Sequence, residues 1–454
     1  MEKRYERVII EGVDAELRGY FTKEDRQVLV AGTATGDEVD VAITSVSQHH
    51  PLAYAEVVNV HQRGENFQQP SCRHAAPIRG RCGGCPAMHL APSTRDQIQL
   101  RAANEALKPL GVEVTWHSAP EQREYRNRSN FVAHRRSQEV ILGSYAPRSQ
   151  HVAAMRDCLV VRPAIMDLHR RTEDILTALK APVDGEEEAL RWVSMREADG
   201  DVVVELVVRD ADAQWIVQAA DDLFALENVV GVGVSVNDRE TNAIRVARTN
   251  IIRGKGTLQE RYGQIDLQIP PGAFAQLNVD VASRIYDRAA QWTSAGPSEA
   301  PVVWDLYCGI GALGLNAVAG HESPETAKIW GVESAEEAVV AARQNAALAE
   351  ISAEFDIADL VDPDVVQALQ PPEALSTPDV ILVNPPRRGL SQPVRDRLCD
   401  DWTAQTLIYM SCDPKTFLRD ATALRKAGWT LEEVEAHDML PMTAHVELLA
   451  RFSR

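Results

Sequence analysis

The chain has 454 residues, 45% of them hydrophobic, which is enough for two or three domains with cores of their own. Its net charge of −19 argues against a polyanion as partner unless basic residues are gathered locally. It has no run of about 18 apolar residues that would predict a membrane span. No apolar segment of the signal-peptide kind follows Met1–Arg7, so we expect a cytoplasmic protein that does not enter a membrane.

Residues 1–62 are predicted to form a small all-β domain. Turn residues separate four short predicted strands, and no helical period lies between them: Arg7–Ile10, Gln27–Val30, Asp37–Val46 and Tyr54–Val60. Short strands at this spacing favour a five-stranded barrel of the OB type.

Four cysteines are the main feature of the next part of the chain. The total of seven is odd, which argues against a disulfide framework in a cytoplasmic protein. The four follow the pattern C-x9-C-x2-C with a distant fourth: Cys72, Cys82, Cys85 and Cys158. Four thiolates bind either a [4Fe–4S] cluster or zinc, and glycines beside Cys82 and Cys85 let backbone N–H groups approach sulfur. Zinc sites usually have two close pairs, so the single close pair favours iron–sulfur, with buried free thiols as the remaining alternative.

An arginine-rich segment, 121–156, lies in a predicted central α+β domain that spans residues 63–265. It has seven arginines and three glutamates, a local charge of 7 − 3 = +4: Arg123, Arg126, Arg128, Arg135, Arg136, Arg148 and Arg156 against Glu121, Glu124 and Glu139. Aromatic and amide residues are interspersed with them: Tyr125, Asn127, Asn130, Phe131 and Tyr145. This mixture is typical of phosphate contacts combined with base stacking, and the alternative is a solvated strand surface.

Residues 266–454 alternate strands with helices, which predicts a doubly wound, parallel α/β sheet. The predicted strands are Val302–Leu306, Ile329–Glu333, Asp379–Val383 and Thr406–Met410. No helix separates Trp429–Glu435 from His445–Phe452, so we expect these two strands to form an antiparallel end of the sheet.

A glycine turn follows the first of these strands. Asp305 lies near the strand end, and Gly309 and Gly311 lead into a helix, where glycine lets the backbone approach a ligand closely. Gly314 completes a G-x-G-x-x-G spacing, so a dinucleotide site remains open from the turn alone. Glu333 ends the next strand, where a carboxylate can accept both hydroxyls of a ribose.

The order of the turn, Glu333 and then Asn384–Pro386 indicates S-adenosylmethionine as the cofactor. Asp359, after the third strand, is placed to reach the adenine amine or, equally, to cap a helix. Cys412 follows the predicted strand Thr406–Met410, and the carboxyl end of such a strand points into the ligand crevice. This placement suggests a thiol nucleophile beside the cofactor, with a small core residue as the alternative.

Several elements resemble those of the RNA uracil-5-methyltransferase family, whose 23S rRNA members carry an iron–sulfur cluster and often a TRAM domain. The elements are Tyr125–Arg128, Phe274–Asn278 (F-x-Q-x-N), Asp305–Gly311, Asn384–Gly389 (N/D-P-P-R-x-G), Ser411–Pro414 with Arg419 and Asp420 (S-C-N-P-x-T-x-x-R-D), and Asp438–Pro441 with Thr443, His445 and Glu447 (D-M-F-P-x-T-x-H-x-E). The chain departs from the common pattern at Asp413, where asparagine is usual, and at Asn384, where many members have aspartate.

The resemblance implies a class I (Rossmann-like) methyltransferase domain at 266–454, a TRAM domain at the N-terminus and an iron–sulfur, RNA-binding central domain. It also implies individual roles. Cys412 would be the nucleophile and Glu447 the general base, and the cofactor would bind at Gln276, Tyr307, Glu333 and Asn384. Cys72, Cys82, Cys85 and Cys158 match the cluster ligands in order. From the residues alone, Glu447 could be an edge-strand surface charge and Gln276 a helix cap.

The leading expectation is a monomeric, S-adenosylmethionine-dependent enzyme that methylates C5 of a flipped uridine in 23S rRNA through a covalent cysteine adduct. A tRNA-directed relative is the second reading, although the cysteine quartet argues against it. A non-catalytic RNA-binding assembly factor is the third, and the Cys412–Glu447 pair weighs against that.

Overall fold

The computed structural model describes residues 3–75, 81–147, 149–183, 189–239, 244, 248–296 and 298–454. Their strands are β1 (Arg4–Ile9), β2 (Gly12–Val13), β3 (Gly19–Lys23), β4 (Arg26–Val30), β5 (Glu38–Val46), β6 (Leu52–Gln62), β7 (Val114–His117), β8 (Arg128–Arg136), β9 (Glu139–Tyr145), β10 (Val152–Ala154), β11 (Leu190–Ala198), β12 (Asp201–Val208), β13 (Val229–Val236), β14 (Asn250–Gly254), β15 (Leu258–Tyr262), β16 (Ile265–Ile269), β17 (Val302–Leu306), β18 (Lys328–Glu333), β19 (Ser352–Ile357), β20 (Val380–Val383), β21 (Thr406–Ser411), β22 (Thr430–His437) and β23 (Glu447–Ser453). Their α-helices are α1 (Pro92–Leu107), α2 (Pro163–Ala178), α3 (Gln214–Phe224), α4 (Val279–Ser294), α5 (Ala312–Ala319), α6 (Glu336–Leu348), α7 (Pro363–Ala368), α8 (Gln392–Asp400) and α9 (Pro414–Lys426).

Contacts divide the chain into two compact units, each made of separate segments. Unit 1 consists of Met1–Glu105, Gly143–Leu159 and Leu440–His445. Unit 2 consists of Ala106–Leu142, Val160–Met439 and Val446–Arg454. The predicted domain boundaries after residues 62 and 265 stay a prediction. Among the described residues, no helix is both long and apolar enough to cross a membrane.

The strands at the start of unit 1 form a barrel. Their order is β1-β5-β6-β4-β3-β2, so the two edges of the sheet are β1 and β2, which are consecutive in the chain. The backbone N–H of Ile10 donates to Asp37 (2.9 Å) and that of Glu11 to Tyr20 (2.9 Å), so one bent strand pairs with both sides. Counting that strand once gives five strands, with β4 and β6 parallel. The predicted OB-like barrel is confirmed.

Alternation along the strands explains the barrel core. In β5, Val39 and Val41 are fully buried while their neighbours point outward, as the two-residue period of a strand requires. Six further β-branched, aromatic and small apolar residues complete the cluster: Ile10, Phe21, Val28, Val30, Ala53 and Ala55.

The first sheet of unit 2 contains the strand order β8-β11-β12-β13-β14. Neighbouring strands are antiparallel except for the parallel pair of β12 and β13. Strands β11 and β12 form a hairpin, because Asp201 pairs with Ala198 across the turn between them. Helices α2 and α3 pack on this sheet, which gives the α+β character predicted for the central region.

The second sheet of unit 2 has eight strands in the order β19-β18-β17-β20-β21-β23-β22-β7. The five strands from β19 to β21 are parallel, and β23 is antiparallel to both β21 and β22. The doubly wound sheet and its antiparallel end are both confirmed. All four residues of β20 are buried apolar side chains, as expected where helices cover both faces of a parallel sheet.

Candidate active site

The candidate residues of the α/β sheet lie where its parallel strands end. Strand order reverses between β17 and β20, and ligands bind outside the carboxyl ends of strands at such a switch point. Five predicted site residues end or closely follow a strand at this edge: Tyr307 (β17), Glu333 (β18), Asp359 (β19), Asn384 (β20) and Cys412 (β21).

The turn after β17 is held in an unusual conformation. Tyr307 has φ = 64°, in the left-handed region that costs a non-glycine residue of order 1–3 kcal/mol and that is concentrated at functional sites. Its hydroxyl donates to Oγ of Ser391 (3.3 Å) and accepts from the backbone N–H of Ser391 (3.2 Å). The Tyr307 ring is therefore fixed to the loop that follows β20.

Gly314, the third glycine of the G-x-G-x-x-G spacing, lies in the first turn of α5 and is required there by packing. Asp305 is fully buried, and Oδ2 of Asp305 accepts from the backbone N–H of Gly314 (3.0 Å). A Cβ atom on Gly314 would lie 2.6 Å from that oxygen. Burial raises the pKa of Asp305 to about 7, against the lowering effect of the Gly314 hydrogen bond.

The Glu333 carboxylate lies at the N-terminus of α6 and retains room for a further donor. Oε1 accepts from the backbone N–H groups of Ser334 (2.8 Å) and Ala335 (3.0 Å), and Oε2 accepts from that of Gly309 (3.2 Å). A carboxylate offers about four acceptor positions, so Oε2 can accept from a ribose hydroxyl as well. The site residues present here fit an adenosyl cofactor.

Asn384 and Asp359 lie on either side of this turn. The backbone N–H of Asn384 donates to Leu306 of β17 (3.4 Å), which places the residue beside the glycine turn. Asp359 is exposed, and its Oδ1 accepts from the backbone N–H of Val361 (3.0 Å). The helix-cap alternative for Asp359 is wrong, because Asp362 caps α7.

Gln276 is buried, and two hydrogen bonds hold its backbone carbonyl group. Its carbonyl oxygen accepts from the Tyr262 hydroxyl (2.7 Å) and from Nδ2 of Asn127 (3.4 Å). The helix-cap alternative is wrong here as well, because Asn278 is the residue that caps α4. Asn127 is therefore a structural residue of the turn that carries Gln276.

The base-stacking prediction for the arginine-rich segment needs correction. Tyr125 is 6% exposed, and Asn127 and Phe131 are fully buried, so none of the three can stack on a nucleotide. Phe131 packs edge-on against His169 instead. Tyr145 is 45% exposed, and Arg148 lies outside the described residues.

The register of the antiparallel strands brings Cys412 and Glu447 together. Met410 pairs with Leu449 and Ser411 with Leu448, so the next position places Cys412 opposite Glu447. Paired residues of neighbouring strands lie on the same face of a sheet. The predicted nucleophile and base thus meet although 35 positions separate them in the sequence.

Electrostatics couple these two residues to Arg387, which the sequence did not single out. Burial raises the pKa of Glu447 to about 8, and the Arg387 guanidinium opposes that rise. Burial, followed by the Glu447 carboxylate, raises the pKa of the Cys412 thiol, and Arg387 again opposes it. The alternative of a surface charge is wrong for Glu447, which is 6% exposed.

Asp413 explains one departure from the family pattern. Its Oδ1 accepts from the backbone N–H groups of Lys415 (2.9 Å) and Thr416 (2.8 Å) and so caps α9. Asparagine and aspartate are about equally good at an N-cap, so the substitution keeps the helix start directly after Cys412.

Asp420 is a second residue whose importance the sequence did not reveal. Its buried carboxylate accepts from the backbone N–H of Leu390 (2.9 Å), the Tyr409 hydroxyl (2.9 Å), Arg395 (3.0 Å) and Arg419 (2.8 Å). These contacts fix the loop after β20 to β21 and α9, the two elements that flank Cys412. In the sequence, the one indication of this residue was the Arg419-Asp420 pair of the family element S-C-N-P-x-T-x-x-R-D.

The four predicted cluster cysteines all lie in unit 1 and are partly exposed. The backbone N–H of Gly84 points at Sγ of Cys82 (3.3 Å), and burial, with a smaller contribution from Cys82, raises the pKa of Cys72. Within the part of the chain that is described, no three thiols have sulfurs within 4.8 Å of one another. The four cysteines therefore do not form a ready-made site for a single ion, whereas a cubane cluster holds its thiolates farther apart because the metal–sulfide cage lies between them.

Comparison with known proteins identifies the family. The sequence profile described as tRNA (Uracil-5-)-methyltransferase matches residues 97–451. A protein of Clostridium tetani named "uncharacterized RNA methyltransferase" is 27% identical over 467 residues, covering 100% of this chain and 98% of its own. One of Staphylococcus aureus with the same description is 26% identical, covering 94% of this chain and 93% of its own.

Among solved structures, the chain is similar to Pyrococcus abyssi tRNA (uracil-54, C5)-methyltransferase in complex with S-adenosyl-L-homocysteine. The TM-score is 0.74 with 22% identity, covering 98% of this chain and 100% of that one. This likeness shows the fold. Because the family profile spans most of the chain, the protein belongs to the RNA uracil-5-methyltransferase family and is an S-adenosylmethionine-dependent RNA methyltransferase.

Proposed function

We propose that the protein methylates C5 of a uridine in 23S rRNA through a covalent bond between Cys412 and C6 of the base. One observation carries this proposal: the β21–β23 register sets Cys412 opposite Glu447, with Arg387 acting electrostatically on both. Cys412 follows a parallel strand at the edge of the sheet where ligands bind in folds of this kind.

The chemistry explains why a thiol and a carboxylate are needed together. Uracil C5 is a weak nucleophile, and addition of the Cys412 thiolate to C6 converts C5 into an enolate-like carbon. S-adenosylmethionine, when bound, supplies the methyl group that this carbon takes. Glu447 then removes the C5 proton, and the electron pair of that C–H bond restores the C5–C6 double bond as the thiolate leaves.

Arg387 is the group that opposes the effect of burial on both anions. Burial alone disfavours a thiolate at Cys412 and a carboxylate at Glu447. The guanidinium stabilises either charge, so the Cys412 proton can leave to water before addition. The carboxylate pKa of about 8 is close to the working pH, which suits a general base.

The cofactor pocket in this proposal is formed by the turn after β17 and its neighbours. Glu333 accepts from the ribose, and Tyr307, Asn384 and Gln276 surround the methionine and adenosine parts. Asp359 reaches the adenine amine from the end of β19. Except for Gln276, whose role is implied by the family resemblance, these assignments are supported by the common position of the residues at one edge of the sheet.

The choice of 23S rRNA rests on unit 1. We assign Cys72, Cys82, Cys85 and Cys158 to a [4Fe–4S] cluster and the barrel to a TRAM domain, the combination of the rRNA-directed members that the chain resembles. The cluster is a structural or RNA-positioning group, since methyl transfer needs no redox step. Purified with or without oxygen, the protein should then be brown and contain about four iron atoms per chain. A colourless, zinc-loaded protein would refute the assignment.

The adduct provides the test of the catalytic proposal. A 5-fluorouridine in the RNA blocks the last step, because fluorine leaves Glu447 no C5 proton to remove. We expect 23S rRNA fragments carrying it to form a denaturant-resistant complex with the wild-type protein and with Cys399→Ala, but not with Cys412→Ala. Trapping of 5-fluorouridine tRNA in place of rRNA would select the tRNA reading. Failure to trap any RNA would favour a non-catalytic assembly factor and refute the adduct.

A further inference from the structure

A cluster of two histidines and one glutamate lies outside the residues assigned above. Strands β7 and β22 are parallel, and their register pairs His117 with His437 and Thr115 with Glu435. Residues two apart on a strand face the same side, so Glu435 and His437 share a face with His117. Three potential metal ligands therefore meet at the end of the sheet.

The ligand atoms converge on one oxygen. Nε2 of His117 lies 3.4 Å from Oε2 of Glu435, and Nε2 of His437 lies 3.3 Å from the same oxygen. All three ligand atoms are within 4.8 Å of one another. Within the described residues this is the one group of three or more histidine, cysteine or carboxylate ligands that meets that distance.

These separations match tetrahedral coordination. Nitrogen and oxygen ligands bind zinc at about 2.0–2.1 Å, so two ligands of one tetrahedral ion lie about 3.3–3.4 Å apart. Hydrogen bonds between nitrogen and oxygen are usually shorter, about 2.9–3.0 Å. The observed distances are thus longer than good hydrogen bonds and agree with a shared ion.

The hydrogen-bonding state of the ring nitrogens points the same way. His437 is 2% exposed, and neither of its ring nitrogens has a partner in hydrogen-bond geometry among the described residues. Nε2 of His117 is also buried without such a partner. Buried polar atoms normally have a hydrogen-bond partner. A metal ion would take up the lone pair of Nε2 in each of the two imidazoles.

Arg288 holds the carboxylate in the orientation that a metal needs. Its Nε donates to Oε1 of Glu435 (2.7 Å), which leaves Oε2 directed at the two imidazoles. Contacts of this kind behind a ligand fix its orientation and tune the site. The guanidinium also contacts Glu433, which takes up part of its positive charge.

We propose that His117, Glu435 and His437 bind one zinc-class divalent cation that joins β7 to β22. Two imidazoles and a carboxylate suit Zn²⁺, and Co²⁺ substitutes for it in such a site. The His117 side chain is 40% exposed, so a water completes the four ligands. The imidazoles are stacked at 4.7 Å, and each turns about its soft Cβ–Cγ torsion when the ion binds.

Co²⁺ titration of the full-length protein tests the site. The cysteines are left unchanged, and thiolate-to-cobalt absorption reports any thiolate that competes for the ion. We expect one equivalent of Co²⁺ with the visible bands of tetrahedral nitrogen and oxygen coordination, and a rise of the unfolding temperature by a few degrees with Zn²⁺. His117→Asn should weaken binding by more than about tenfold and remove the thermal shift.

His61→Asn is the matched control, because His61 also lies beside a carboxylate, 2.8 Å from Asp40, yet has no third ligand. It should bind Co²⁺ as the parent does. His437→Asn is a second variant, and His117→Asn decides the matter if the buried substitution does not fold. Equal binding by parent and His117→Asn, or a dissociation constant above about 1 mM in the parent, would refute the site and leave a packed polar cluster.

Discussion

The catalytic edge of unit 2 and the cysteine segment of unit 1 place their functional residues by different means. At the edge, five residues end or closely follow successive strands, and backbone pairing sets their positions. Cys72, Cys82 and Cys85 instead lie outside the named strands and helices, where local contacts such as the one from Gly84 to Cys82 define the backbone.

The difference shows which parts of a site the chain can position before a ligand binds. A strand register is a property of the sheet, so Cys412 and Glu447 face one another before any substrate binds. Under the cluster proposal, the thiols would gain their final geometry from the group that they bind, because binding and folding of such a segment are coupled.

Glu447→Gln should have the largest effect, because it removes the base from a preformed site. We expect turnover to fall by about 10²–10⁴-fold while a methylated protein–RNA adduct accumulates, since proton removal follows methyl transfer. Single-turnover assays with labelled cofactor on denaturing gels measure both. The exposed Glu432→Gln is the control, and a Glu447→Gln turnover within threefold of wild type would contradict the role.

The same substitution should also show how burial of the Glu447 carboxylate changes the free energy of unfolding. The pKa of Glu447 is about 8 in the folded chain and 4.5 in its ordinary state, so between these values the folded state holds the proton more tightly. Wild-type stability therefore falls as pH rises through this window, and glutamine escapes the loss. From pH 5 to pH 8, Glu447→Gln should gain up to about 4 kcal/mol relative to wild type. Urea unfolding measures it, and a pH-independent difference would contradict the raised pKa.

Cys82→Ser should separate the two regions. Iron content should fall to below about one atom per chain, because one of four ligands is lost. Methyl transfer to a short single-stranded RNA should fall by less than about tenfold, because the β21–β23 register does not depend on the cluster. Metal analysis and initial rates test both, with Cys399→Ser as the control. A loss of activity as large as that of Glu447→Gln would contradict the independence of the catalytic edge from the cysteine segment.

Arg387→Gln should produce the smallest change. The guanidinium lowers the pKa of the Glu447 carboxylate, so its loss moves the acidic limb of kcat/KM upward by about half a pH unit. The pH profile of kcat/KM measures the shift. Arg388→Gln, one residue away, should leave the limb in place, and equal shifts in both variants would rule out a specific contact.

Much of the catalytic sheet could be predicted because its signals are local. Continuous apolar segments such as Val380–Val383 and the turn with Gly309 and Gly311 indicate parallel strands and a cofactor loop without reference to distant residues. The bent strand around Ile10 also agrees with the predicted count of five barrel strands.

The remaining features depend on long-range contacts that no local pattern encodes. Strand β7 joins the sheet through β22, a segment more than 300 residues away, so its place was not predicted. The burial of Tyr125 and Phe131 likewise comes from packing, which overrode a composition typical of nucleic-acid contacts. Asp420 became visible as a positioning residue only through its four partners.

The position of β23 has a consequence for how the enzyme matures. This strand is inserted between β21 and β22, although both precede it in the chain. During synthesis the chain emerges N-terminus first, so the facing edges of β21 and β22 stay unpaired until Glu447–Ser453 arrives, although β21 also pairs with β20 and β22 with β7. The strand that closes the gap also carries Glu447, the proposed base. On that proposal, the nascent enzyme stays inactive until translation of this sheet is complete.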